Sequence, residues 1–133
     1  MSAAAPPPLG RYRRWLLGLL VIVWLSAFIA THIPPASIPR AGVGDWVLHT
    51  LGYFVLGSLL LATAAAYGLP ARRRALLALV LLAAYGAMDE VTQELVSRHA
   101  SVWDWASDVL GVLLAVAAWH VAAVALKAFQ RPA

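Results

Sequence analysis

The sequence contains no cysteine, and only six of its 133 residues are acidic. Without cysteine, the chain has no disulfide, no thiolate nucleophile and no cysteine-ligated zinc. Charged residues of both signs make up only 12% of the chain, whereas an ordinary soluble domain has about 25%. Hydrophobic residues make up 62%. This composition predicts a membrane protein, and the length fits one domain over residues 1–133.

Four apolar stretches are long enough to cross a bilayer, which takes about 20 helical residues. They lie at residues 15–33, 46–67, 75–95 and 102–126. The uncharged part of the third stretch is too short to span alone, so this helix must continue through Asp89 and Glu90. Six residues join the third stretch to the fourth, which predicts an antiparallel pair. We therefore expect an all-α, four-transmembrane-helix bundle.

The distribution of Lys and Arg predicts the orientation of this bundle. The basic clusters at the N-terminus, between spans two and three, and at the C-terminus all fall on one side: Arg11, Arg13, Arg14, Arg72, Arg73, Arg74, Lys127 and Arg131. The two opposite loops contain only Arg40 and Arg98. The positive-inside rule then places both termini in the cytoplasm. Because apolar runs separate the clusters, they indicate membrane topology rather than nucleic-acid binding.

In this topology the acidic residues lie at the outer ends of the helices, where they converge with other polar side chains. Asp45, His49 and Tyr53 are spaced by four residues and share one helical face. The residues expected to form this polar layer are Asp45, His49, Tyr53, Asp89, Glu90, Gln93, Arg98, Ser101, Asp104 and Asp108. Ionisable groups within a bilayer normally face the bundle interior and mark a functional site.

Several of these residues also have a purely structural explanation. Ser101 and Asp104 form an S-x-x-D pattern that is typical of a helix start. Tyr53 fits an interior aromatic residue whose hydroxyl bonds to a neighbour. The whole group could be a polar network that ties the helices together.

Three motifs resemble the VanZ-like family of small bacterial membrane proteins. They are D-x-x-x-H-x-x-x-Y from Asp45, D-E-x-x-Q from Asp89, and R-x-x-S-x-x-D-x-x-x-D-x-x-G from Arg98. The resemblance covers spans two to four. The chain differs from many members at Trp46, where they have Lys, and at Asp108, where they have Asn. The resemblance implies a multi-pass protein of the bacterial inner membrane, and the founding member is associated with low-level teicoplanin resistance.

Three functions remain open at this level. The first is a binding site in the outer leaflet for a polar cell-envelope component, such as the head group of a lipid-linked wall precursor or a glycopeptide-related ligand; this is the function we favour. The second is a membrane enzyme that acts on such a lipid by acid-base chemistry or through a divalent metal. The metal candidates are His49, Asp89, Glu90 and Asp104. The third is a structural or assembly protein.

Overall fold

The computed structural model of the chain describes residues 9–34, 42 and 44–129. Arg40 and Arg131, which contribute to the predicted charge bias, lie outside the described residues, as does the side chain of Lys127. Within these described residues, four helices are long and apolar enough to span a membrane, which confirms the predicted fold class. They are α1 (Arg13–Thr31), α2 (Asp45–Ala66), α3 (Ala71–Gln93) and α4 (Val102–Phe129). Short 3-10 turns precede α1 and follow α3, at Gly10–Tyr12 and Glu94–Val96.

Helix α2 occupies the centre of the bundle and contacts the other three helices. Its closest neighbour is α4, and glycine makes this approach possible. A Cβ atom at Gly111 would overlap the carbonyl oxygen of Thr50 and lie 2.9 Å from the backbone nitrogen of Phe54. One turn deeper into α2, a Cβ at Gly57 would lie 3.1 Å from the Cβ of Ala115. Small residues therefore allow α2 and α4 to pack backbone to backbone, as membrane helices often do.

The core lies between α2, α3 and α4, and α1 adds little to it. Its fully buried apolar side chains include Leu56, Leu61, Leu82 and Val112. Helix α1 has one buried residue, Leu20. Large apolar side chains cover the outer faces of all four helices, among them Ile22, Leu48, Val80 and Val121. A soluble protein rarely exposes so much contiguous apolar surface, and hydrocarbon is the medium that suits it.

Two helices end in Schellman motifs, and the second of them determines where Arg98 lies. After α2, the N–H of Leu69 donates to Ala64 O at 2.9 Å, and Gly68 has φ +84°. After α3, the N–H of Arg98 donates to Gln93 O at 3.2 Å, and the left-handed position is taken by Ser97 at φ 61°. This reversal turns the chain back over the bundle.

The alternating helix directions give the bundle two chemically different ends. At one end α1 and α3 finish and α2 and α4 begin; we call it the acidic end, because all six acidic residues lie there or within the adjoining turns. At the opposite end, the Arg13 guanidinium lies 5.8 Å from the ring centre of Tyr67. There too, the Arg74 guanidinium lies 5.4 Å from that of Trp119. Which end faces the cytoplasm stays a prediction from the charge bias.

Candidate binding site at the acidic end

A cavity of about 420 Å³ lies between the end of α1 and the beginning of α2. Its walls are largely apolar, and its polar side chains come from both helices and from the loop after α3. The lining residues are Ala27, Ala30, Thr31, Ile33, Asp45, Leu48, His49, Gly52, Tyr53 and Arg98. Four of the ten residues predicted from the sequence therefore line one cavity. The other six lie behind or beside it.

Arg98 lies beside the cavity and connects the loop after α3 to α1 and α2. One guanidinium nitrogen donates to Thr31 O at 3.3 Å, and another lies 3.5 Å from Asp45 Oδ2. The Asp45 side chain is 60% exposed, whereas that of Arg98 is only 15% exposed. An exposed ion pair of this length contributes little to stability. A guanidinium has five N–H donors, so these two contacts leave Arg98 able to bind an anion.

Behind the cavity, His49, Glu90 and Asp108 form a buried cluster, which we call the His49 cluster. His49 Nδ1 lies 2.8 Å from Asp108 Oδ1 and 3.8 Å from Glu90 Oε1. Asp108 has no exposed surface, and Glu90 is 4% exposed. The three residues come from α2, α3 and α4. Because Nδ1 faces Asp108, Nε2 is the imidazole nitrogen left for a ligand in the cavity.

Asp89 lies one residue before Glu90 but belongs to a different group of side chains. Its Oδ2 accepts a hydrogen bond from Gln93 Nε2 at 3.0 Å, and its Oδ1 lies 3.1 Å from the Thr31 hydroxyl. His32 completes this group, with Nδ1 3.7 Å from Asp89 Oδ1 and Nε2 3.1 Å from the Thr92 hydroxyl. These contacts tie α1 to α3. Both carboxylate oxygens of Asp89 therefore have partners, as expected of a structural residue.

Ser101 caps the beginning of α4, where it bonds to Asp104, and it also holds Glu90 in place. The Ser101 hydroxyl accepts from the N–H of Asp104 at 3.2 Å, as in a helix cap. The N–H of Ser101 in turn donates to Glu90 Oε2 at 2.7 Å. Ser101 thus acts through its backbone on the His49 cluster. Asp104 is partly exposed, and its described hydrogen bond, to the Ser101 hydroxyl, is made by its backbone N–H.

Gly86 leaves the space that the Asp108 carboxylate occupies. A Cβ at this position would lie 2.7 Å from Asp108 Oδ2 and 3.2 Å from the Tyr53 hydroxyl oxygen. Tyr53 is 4% exposed, and its hydroxyl has no hydrogen-bond partner within the described part of the chain. A phenol and a carboxylate oxygen, both buried and without partners among the described residues, therefore lie close to this glycine.

The sequence reasoning missed Thr31 and Thr92 and did not place His32. Each has a recognisable signal in hindsight. Thr31 and His32 are the last polar residues of the first apolar stretch, which ends at Ile33 before Pro34. Thr92 falls within the same polar segment as Asp89 and Gln93. A hydroxyl is a weak signal because it also bonds to its own helix, as Thr92 does to Met88 O at 3.0 Å.

The arrangement combines three chemical capacities in one place. The cavity offers an apolar wall, and Arg98 offers a cation beside it. The His49 cluster offers an imidazole that is oriented by a carboxylate, which is the requirement for general-base catalysis and also for metal ligation. No family model, curated protein or solved structure matches the chain. The function of the site is therefore inferred from its geometry.

Proposed function

We propose that this chain is a VanZ-like protein of the bacterial inner membrane that binds the phosphate-bearing head group of a cell-envelope lipid. The ligand would occupy the cavity between α1 and α2, with its phosphate at Arg98 and its hydrocarbon chain along the apolar wall. The observation that carries this proposal is the cavity itself, which joins an apolar wall to a guanidinium within a membrane-spanning bundle.

The dimensions of the cavity support an amphiphilic ligand. A volume of about 420 Å³ is within the range of small-molecule sites, which are typically lined by apolar groups with a few polar contacts. Ala27 and Ala30 on α1 and Gly52 on α2 are small, and they leave room for the cavity between the two helices. Helix α1 packs mainly on α2 and only slightly on α3. A lipid could therefore enter at its side with little disturbance of the core.

The charges near the cavity favour an anionic head group. Arg98 is held by one carbonyl and one largely exposed carboxylate. A phosphate would replace or join Asp45 and form shorter, charge-assisted bonds, since a guanidinium binds phosphate in a bidentate manner. His49 Nε2 can bind a further head-group oxygen. A wall-precursor lipid has the required phosphate and polar substituents.

The test measures binding of a polyprenyl phosphate to the purified protein in phosphatidylcholine nanodiscs. We expect wild-type protein to bind this lipid in preference to phosphatidylcholine, and Arg98→Gln to bind it at least about tenfold more weakly, because a lost charge-assisted bond costs about 1.5 kcal/mol or more. Arg72→Gln is the matched control, because Arg72 is exposed at the opposite end of the bundle. Equal binding by wild type and Arg98→Gln would refute the proposed site.

The resemblance to the VanZ-like family adds a cellular test. If the chain confers teicoplanin tolerance when expressed, the tolerance should be lost in Arg98→Gln and in His49→Gln and retained in Arg72→Gln. Membrane levels of each variant must be compared by immunoblot. Tolerance that survives both site variants at normal protein levels would separate the phenotype from this cavity.

A membrane enzyme is the second candidate, and the His49–Asp108 pair favours it. A carboxylate at 2.8 Å from Nδ1 fixes the tautomer that leaves Nε2 able to accept a proton from water or a substrate hydroxyl. Release of inorganic phosphate from a polyprenyl diphosphate would be the assay. Turnover by wild type that falls about 10²-fold or more in Asp108→Asn would establish that the His49–Asp108 pair takes part in catalysis, and no turnover would leave a binding protein.

A further inference from the structure

The His49 cluster contains more acceptor atoms than donors. The N–H of Ser101 satisfies Glu90 Oε2, and His49 Nδ1 faces Asp108 Oδ1. The two remaining oxygens, Glu90 Oε1 and Asp108 Oδ2, are buried and have no hydrogen-bond partner within the described residues. Buried carboxylate oxygens without a donor or a cation are costly, and each needs an explanation.

Among the described residues, the cation beside the cavity does not supply this need. Arg98 directs its guanidinium at Thr31 O and Asp45 instead. A proton on His49 Nδ1 provides one hydrogen bond, which Asp108 Oδ1 already takes. Glu90 Oε1 lies 3.8 Å from the same nitrogen, beyond hydrogen-bond distance. A cation that contacts His49 and both carboxylates at once would satisfy the two remaining oxygens together.

We propose that His49, Glu90 and Asp108 bind a divalent transition-metal ion such as Zn²⁺. The three side chains each offer a ligand atom, and these atoms lie within 4.8 Å of one another. Two ligands of a tetrahedral zinc ion lie about 3.4 Å apart, given bonds of 2.0–2.1 Å. The observed separations of 2.8 and 3.8 Å from Nδ1 bracket this value, and side-chain rotations would bring the whole group, now within 4.8 Å, to it.

The donor set and its charge favour this ion. One imidazole nitrogen and two carboxylates suit zinc and its neighbours better than Mg²⁺ or Ca²⁺, which prefer oxygen alone. A dication balances the two carboxylates, which makes the buried site neutral. The ion replaces the proton on His49 Nδ1, and the proton leaves to solvent. In this site Glu90 is a metal ligand, and the hydrogen bond from the Ser101 N–H to Glu90 Oε2 holds it in position.

This site rests on the residues behind the cavity and does not depend on lipid binding. Of the four metal candidates predicted from the sequence, it uses His49 and Glu90. Asp89 is engaged with Gln93 and Thr31. Asp108, which the sequence did not single out as a metal ligand, takes the third position because its carboxylate reaches His49 Nδ1.

The first experiment uses the full chain in detergent, purified without a polyhistidine tag and stripped with a chelator. Zn²⁺ alone is added, while metal content and the unfolding midpoint are measured. We expect about one zinc ion per chain and a higher midpoint, reversed by chelator. If the wild-type protein neither binds zinc stoichiometrically nor shows a rise in the midpoint, the proposal is overturned, with no variant needed.

The second experiment assigns the ligands. Glu90→Gln and Asp108→Asn keep side-chain size, and each should lower zinc affinity by about tenfold or more, since even outer contacts of metal sites are worth this much. Glu94→Gln is the matched control, because Glu94 is an exposed acid four residues after Glu90 and should bind zinc as wild type does. Wild-type affinity in both ligand variants would place the ion elsewhere and refute the assignment.

Discussion

Replacing Gly111 with Ala should separate α2 from α4 and destabilise the whole bundle. The added methyl group would overlap Thr50 O and approach Phe54 N to 2.9 Å. Both are backbone atoms within a helix, so they cannot rotate away as a side chain does. The whole helix must move, and His49 and Asp108, which lie on these two helices, must move with it.

The expected loss can be estimated from opposing effects. Overpacking a well-packed interior costs about 1–3 kcal/mol, and the rigid neighbours here put Gly111→Ala at the upper end. Alanine is the better helix former by about 1 kcal/mol, which offsets part of the cost. The net loss is therefore about 2 kcal/mol, or roughly a thirtyfold change in the folded-to-unfolded ratio.

The measurement is equilibrium unfolding in mixed micelles of mild detergent and SDS, followed by tryptophan fluorescence. Gly18→Ala is the matched control: Gly18 lies within α1, and a Cβ there meets no atom within 4 Å. The control should equal or exceed wild type in stability. If Gly111→Ala is as stable as Gly18→Ala, the α2–α4 contact is looser than described and the reasoning fails.

Four further substitutions test other features of the bundle. In the cysteine-free chain, Ala100→Cys should react with a membrane-impermeant maleimide in intact cells and Ala71→Cys only after lysis; the reverse pattern would invert the predicted orientation. Ser97→Gly should raise the unfolding free energy by up to about 1 kcal/mol, because it relieves a left-handed residue with a side chain, and a decrease would contradict this. Gly86→Ala should displace the Asp108 carboxylate and cost about 1–2 kcal/mol; an unchanged unfolding midpoint would mean that Asp108 relaxes freely.

The sequence alone was enough to predict the four helices, since a spanning helix depends on the length of one continuous apolar run. The predicted bounds differ from those of the structure by at most four residues; α4, for example, begins at the predicted residue 102 but continues to Phe129 rather than residue 126. The gathering of the acids at one end was also predictable, because consecutive spanning helices alternate in direction. Proline and glycine marked the ends of α1 and α2, where their backbone preferences are local.

Only the tertiary structure decided how the polar residues are divided. Asp89 and Glu90 are adjacent in sequence, but they point about 100° apart around the helix, as a 3.6-residue turn requires. Asp89 meets Thr31 on α1, whereas Glu90 meets Ser101 at the start of α4 and approaches His49 on α2. In a bundle that is apolar on nearly every face, periodicity does not show which face meets which neighbour. Helix rotation was set instead by close contacts at small residues such as Gly111, and those contacts exist only once the helices have packed.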